Sequence, residues 1–159
     1  MKLWTFQNSK SVDELLKTGT LVAKWERYKD MPNWENAYRW MASQMIQRKV
    51  NCSKNAPVWA WHSCNTYQKA PTLDDARALL SDFEIETGIK VVEFECPDDV
   101  ALLSFYSIWN DILDLFIQGN QAISLKKNTF ETLFDVRSST FKKGDSIQAT
   151  LPFLKKEWI

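Results

Sequence analysis

The chain has 159 residues and little of what usually marks a specialised class. It holds 4 glycines and 5 prolines, with no Pro/Gly/Ser-rich run to divide it, so a single domain over residues 1–159 is expected. It lacks net charge, since 20 Lys and Arg balance 20 Asp and Glu. That excludes a bulk nucleic-acid binder, which needs a basic excess to displace counterions. It lacks a long apolar run. The richest zone, Val100 to Ile117, is interrupted by Ser104, Ser107, Asn110, Asp111 and Asp114, well short of the roughly 18–20 apolar residues of a membrane span. The opening Met1-Lys2-Leu3-Trp4-Thr5 has no apolar core of a secretory signal. The three cysteines, Cys52, Cys64 and Cys96, are odd in number and form no Cys-x-x-Cys pair. They are expected as small buried hydrophobes in a reducing cytoplasm, without a disulfide framework. With one histidine and no thiol cluster, no zinc site and no cofactor are expected. Gly-x-Gly-x-x-Gly, the P-loop, Gly-x-Ser-x-Gly and His-Glu-x-x-His are all missing, which removes the commonest dinucleotide, triphosphatase, hydrolase and zinc-protease readings.

What is present is an ordinary globular pattern, 45% hydrophobic. Leu3 to Gln7 reads as a strand. Ser11-Val12-Asp13-Glu14 reads as a capping box that opens a short helix, which Gly19 can end. Leu21 to Trp25 reads as a second strand. A helix is expected from Asn33 or Trp34 to about Arg48, with Ala37, Trp40, Met41 and Met45 at helical spacing. Val58 to His62 is rich in aromatics and reads as a strand. Thr72 is placed to cap a helix whose inner face is Ala76, Leu79, Leu80 and Phe83. In Ile89 to Cys96, apolar Val92, Phe94 and Cys96 alternate with Glu93 and Glu95, the mark of a strand with one wet face. Pro97-Asp98-Asp99 is expected to begin a long helix with a stripe of Leu102, Phe105, Trp109, Ile112, Leu113 and Phe116. Asn128-Thr129-Phe130-Glu131 suggests a further cap, and Ser146 to Leu151 a closing strand. The fold class this implies is α+β, a mixed or mostly antiparallel sheet packed with about four helices.

The compositional anomaly is tryptophan, with 8 residues. Trp59 and Trp61 stand two apart in a strand and so share a face, where they form either a core slab or a platform for a planar ring. His62 follows them and is expected on the opposite face. It is the one side chain whose ordinary pKa suits acid–base work near neutrality, but no nucleophile partner can be assigned to it. The doublets Asp74-Asp75 and Asp98-Asp99 are explained as helix caps. The lysine doublets at 126–127, 142–143 and 155–156 read as solvated surface.

Several blocks also resemble a known family. They are Leu3-Trp4-Thr5-Phe6-Gln7 with the helix ending at Gly19; Ala37-Tyr38-Arg39-Trp40-Met41 with Gln44-Met45 and Arg48; Pro57-Val58-Trp59-Ala60-Trp61; Leu102-Leu103-Ser104 with Trp109; Phe134-Asp135; and Ile147-Gln148-Ala149-Thr150. In order and spacing they resemble a family of uncharacterised bacterial proteins, domain-of-unknown-function family 3841. The resemblance implies no activity to carry over. It does imply an acidic residue where Phe105 stands and a histidine where Asn110 stands.

Two functional readings compete. The first is a small cytosolic ligand-binding or protein-interaction domain with an aromatic-lined pocket, of the kind that mobile elements or phages use to inhibit or regulate a partner. Its candidate binding residues are Thr5, Gln7, Tyr38, Arg39, Trp59, Trp61, His62 and Gln148, polar groups around an apolar wall. Its ligand would be a small planar molecule or a partner protein, away from any membrane. The second reading is a nucleotide-dependent enzyme. A first strand with polar residues, a tyrosine-bearing helix, and a last strand with Gln148, Thr150 and Pro152 loosely resemble the order of elements in the ADP-ribosyltransferase fold. That fold would place an arginine or histidine near Thr5 and a glutamate near Gln148, and this chain has neither there.

Overall fold

The computed structural model describes residues 1–52, 54–119 and 127–159, and only the backbone over 127–130. Strand β1 (Lys2–Asn8) runs directly into helix α1 (Ser9–Thr18), and β2 (Thr20–Leu21) follows. After a 3-10 turn at Trp25–Tyr28 come α2 (Pro32–Gln47), β3 (Val58–Cys64), α3 (Leu73–Leu79), α4 (Asp82–Glu86) and β4 (Ile89–Glu95). The chain continues through β5 (Leu102–Phe105), α5 (Tyr106–Ile117), α6 (Lys127–Phe134), β6 (Ser146–Leu151) and β7 (Leu154–Lys155). Among the described residues β4-β1-β3-β6-β5 form one sheet and β2-β7 a second, small one. Every strand pair is antiparallel. The fold is α+β, as the sequence pattern implies.

The two faces of the large sheet pack differently. On the first, Leu3, Ala60, Phe94, Ala149 and Leu151 meet Leu15 of α1 together with Leu21 and Leu154, all buried. Burying each such leucine contributes about 1.5–3 kcal/mol. On the second, Ala37, Met41 and Met45 of α2 pack with Trp109, Ile112 and Leu113 of α5, and with Leu102 and Leu133. Pro32 stands in the first turn of α2, where its missing N–H costs nothing, and Glu35 follows it there.

Several local expectations are corrected. The cap of α1 is Asn8, whose side chain accepts from Ser11 N at 2.8 Å, so the helix starts before Ser11. Its end at Gly19 is left-handed, as expected. The strand expected over Leu21 to Trp25 stops at Leu21, because Trp25 already opens the 3-10 turn. The helix after Thr72 ends at Leu79, and Ser81 with Glu84 forms a second capping box that starts α4. Phe83 is therefore not inner-facing and is 74% exposed. Nor does a long helix begin at Asp98. Asp98–Val100 is one 3-10 turn, and Leu102–Phe105 pair with Ile147–Thr150 as an edge strand before α5 begins. A Leu-Leu-Ser-Phe run suits strand and helix alike at that spacing, and the open edge of β6 decides between them. Leu102, Phe105, Trp109, Ile112 and Leu113 are still buried, whereas Phe116 is only partly so. The cap expected at Asn128 falls inside α6, which already includes Lys127, while Lys126 and the side chains of residues 127–130 lie outside the described residues.

Candidate functional site

The site begins where the sheet parts. β1 is in register with β4 along its whole length, from Lys2 opposite Glu95 to Asn8 opposite Ile89. With β3 it shares a single registered pair, Trp4 and Trp61. Beyond that pair a side chain bridges the strands. Thr5 Oγ1 donates to the Trp59 carbonyl at 2.7 Å and accepts from Gln7 Nε2 at 2.9 Å. Thr5 is fully buried, so this relay satisfies backbone that would otherwise be stranded where the ladder ends.

The gap continues into a cleft of about 560 Å³ on the second face, within the usual range of small-molecule sites. Its walls are aromatic. Trp59 and Trp61 project from alternate positions of β3, and α2 and α5 bring Tyr38, Tyr106 and Trp109 against them. Tyr38 lies 5.0 Å from Trp59 and 4.9 Å from Tyr28, centroid to centroid. Trp59 lies 5.1 Å from Trp109, and Trp61 meets Tyr106 edge-on at 5.0 Å. Trp109 is core at 3% exposure, whereas Trp59, Trp61 and Tyr38 are only partly buried. The Trp59 Nε1 donor is buried with no partner among the described residues.

Of the eight candidate residues, six meet here in two groups. Gln7, Tyr38, Trp59, Trp61 and Gln148 line the cleft, and Thr5 sits behind it holding the Trp59 carbonyl. Gln148 is buried and donates through Nε2 to Ser104 Oγ at 3.1 Å, which leaves its amide oxygen unused. Arg39 and His62 stand apart. Arg39 pairs with Glu35 at 2.6 Å and stacks over Trp25 at 4.3 Å. His62 sits in the bulge where the β3–β6 register shifts, packed edge-on against Tyr67 at 5.3 Å. Its Nδ1 lies 2.8 Å from Ser63 Oγ, which accepts from Gln68 N at 2.8 Å. Sequence reasoning missed Arg27, Tyr106 and Asn110, which also line the cleft. Asn110 carried a signal, because it stands where the family resemblance implies a histidine. Arg27 and Tyr106 carried none.

The electrostatics favour binding over proton transfer. Burial raises the Tyr38 phenol, with the neighbouring Tyr28 adding to it, so Tyr38 stays a protonated donor. Burial lowers His62 and favours the neutral ring. Burial also pushes Cys52 to about 11 and Cys64 to about 12, leaving both as protonated thiols with no nucleophilic character at neutral pH. The ionic groups on the cleft are Arg27 and Glu84, and Glu84 Oε2 is occupied by Ser81 N and Oγ at 3.0 and 2.9 Å.

The sequence profile of a family described as Domain of unknown function (DUF3841) matches residues 2–124. This chain belongs to that family. The matched segment carries β1, α2, β3 and α5, which supply the aromatic wall of the DUF3841 cleft, while Gln148 on β6 lies beyond it. Comparison with curated proteins and with solved structures finds no match. No helix among the described residues is long and apolar enough to cross a membrane.

Proposed function

We propose that this DUF3841 chain is a cytoplasmic single-domain binding protein that takes a small planar molecule into the aromatic cleft. One observation carries the reading. Trp59 and Trp61 leave part of their surface in the cleft, although this face has helices enough to cover them. Aromatic faces left open in a concave site are suited to stacking, which contributes about 1–3 kcal/mol per ring. Three unpaired buried thiols fit a reducing compartment. The nucleotide-enzyme reading draws support from the parting of the first strand from β3. It lacks an acid or base near neutrality in the cleft, since His62 lies elsewhere. A protein-interaction role would instead use Phe83 and Val91, which are 74% and 52% exposed on α4 and β4.

The test is titration with N-phenyl-1-naphthylamine, a neutral planar fluorophore. Saturable one-to-one binding with energy transfer from tryptophan is expected, weakened at least about fivefold by Tyr106→Ala. Absence of saturable binding, or binding that Tyr106→Ala leaves unchanged, contradicts the reading.

A further inference from the structure

Arg27 differs from every other arginine in the chain. Arg39 pairs with Glu35, Arg77 with Asp74 and Arg137 with Asp135. Arg48 binds Gln44 at 2.9 Å and stacks on Phe134 at 3.9 Å. The guanidinium of Arg27, in the 3-10 turn at the cleft, has no ion pair and no hydrogen bond among the described residues, and only its backbone N–H is engaged, with the Lys24 carbonyl at 3.2 Å. A guanidinium presents five donors in a rigid fork suited to carboxylate, sulfonate or phosphate oxygens. Arg27 is exposed, and its fork stands open beside the aromatic cleft, whereas Arg39, Arg77 and Arg137 hold carboxylates.

The remaining polar groups point the same way. The Tyr38 and Tyr106 hydroxyls and the Trp61 indole N–H line the cleft without a hydrogen-bond partner among the described residues. The Trp59 Nε1 donor is also unpartnered among the described residues, but it is buried and not presented to the cleft. The acceptors on the cleft are the amide oxygens of Gln7, Asn110 and Gln148, the Ser11 hydroxyl and the Glu84 carboxylate. Glu84 is committed through Oε2 to the α4 cap and lies beyond ion-pair distance of Arg27. Arg27 is the one cation among the described residues that line the cleft.

We infer that the cleft selects a planar aromatic anion, with the ring held between the tryptophan and tyrosine faces and the anionic group docked on Arg27. This rests on the planar-ligand reading and adds the charge and the residue that reads it. A docked anion would gain charge-assisted hydrogen bonds at the rim of a low-dielectric wall, where they are stronger than in bulk water.

The experiment uses a matched pair of probes that differ by one sulfonate, N-phenyl-1-naphthylamine and 8-anilinonaphthalene-1-sulfonate. The sulfonate is expected to bind at least about fivefold more tightly. Arg27→Gln should erase that preference and leave the neutral probe within about twofold, and Arg27→Lys should restore part of it. Arg77→Gln, away from the cleft, should change neither. Equal affinity of the two probes, or a preference that survives Arg27→Gln, overturns the inference while the planar-ligand reading stands. If neither probe binds, both fall.

Discussion

The two faces of the large sheet solve the same burial problem with different residues. The first closes with leucine, alanine and one phenylalanine. Leu3, Leu15, Leu151 and Leu154 are all fully buried there. The second closes with helices over an aromatic layer and leaves a cleft of about 560 Å³. Small aliphatic side chains in good rotamers interdigitate to native density. Large planar rings meet at edges and tilts, as Trp61 meets Tyr106 and Tyr38 meets Trp59, and leave surface uncovered. The first face is closed by tight aliphatic packing, and the second leaves a concave cleft between its rings and helices.

Truncations should separate the faces most clearly. Leu15→Ala should cost about 2–5 kcal/mol in urea unfolding, as a fully buried leucine. Trp61→Ala, though it removes far more atoms, should cost only about 1–2 kcal/mol, because its ring is partly uncovered. Equal losses would mean that Trp61 belongs to the core and the contrast is false.

A smaller effect belongs to the seam between the faces. Thr5→Val keeps the shape but removes the donor to the Trp59 carbonyl and the acceptor for Gln7. A loss of about 1–3 kcal/mol is expected, the cost of leaving a buried carbonyl unpaired. Faster amide exchange at β3 than at β4 should accompany it. A variant as stable as the parent would show that the strands are held apart by packing alone.

The smallest effect is the pH response of His62. Burial holds its folded pKa below the ordinary value of 6.5. Its contribution is therefore complete above that pH and is lost as pH falls from 6.5 toward the folded value. The slope cannot exceed about 1.4 kcal/mol per pH unit for one proton. His62→Gln should flatten the fall in stability as pH drops below 6.5. An unchanged slope would place the imidazole in contact with solvent.

Much of this was readable from the residues, for physical reasons. Period-two alternation announced β4 and β6, and the same period put Trp59 and Trp61 on one face. Helical spacing announced α2. The first strand and the left-handed stop at Gly19 followed from local chemistry. Long-range pairing was not readable. Nothing local in Leu102–Phe105 reveals that β6 needs an edge partner, and nothing near Thr5 reveals a carbonyl 54 residues away. The bulge at His62 and the convergence of Arg27, Tyr106 and Asn110 are likewise products of tertiary packing, with no spacing to betray them.

On the proposed reading the aromatic face, and not the rest of the tryptophan set, receives the ligand. Indole nitrogen–proton correlation spectra of tryptophan-labelled protein test it most directly, with the 8 signals assigned by Trp→Phe variants. Titration with 8-anilinonaphthalene-1-sulfonate should shift the Trp59 and Trp61 signals. It should leave Trp4, whose Nε1 is tied to Glu93 at 2.8 Å, and Trp158, stacked on Phe153, in place. Shifts at Trp4 or Trp158 with Trp59 and Trp61 unmoved would contradict the account.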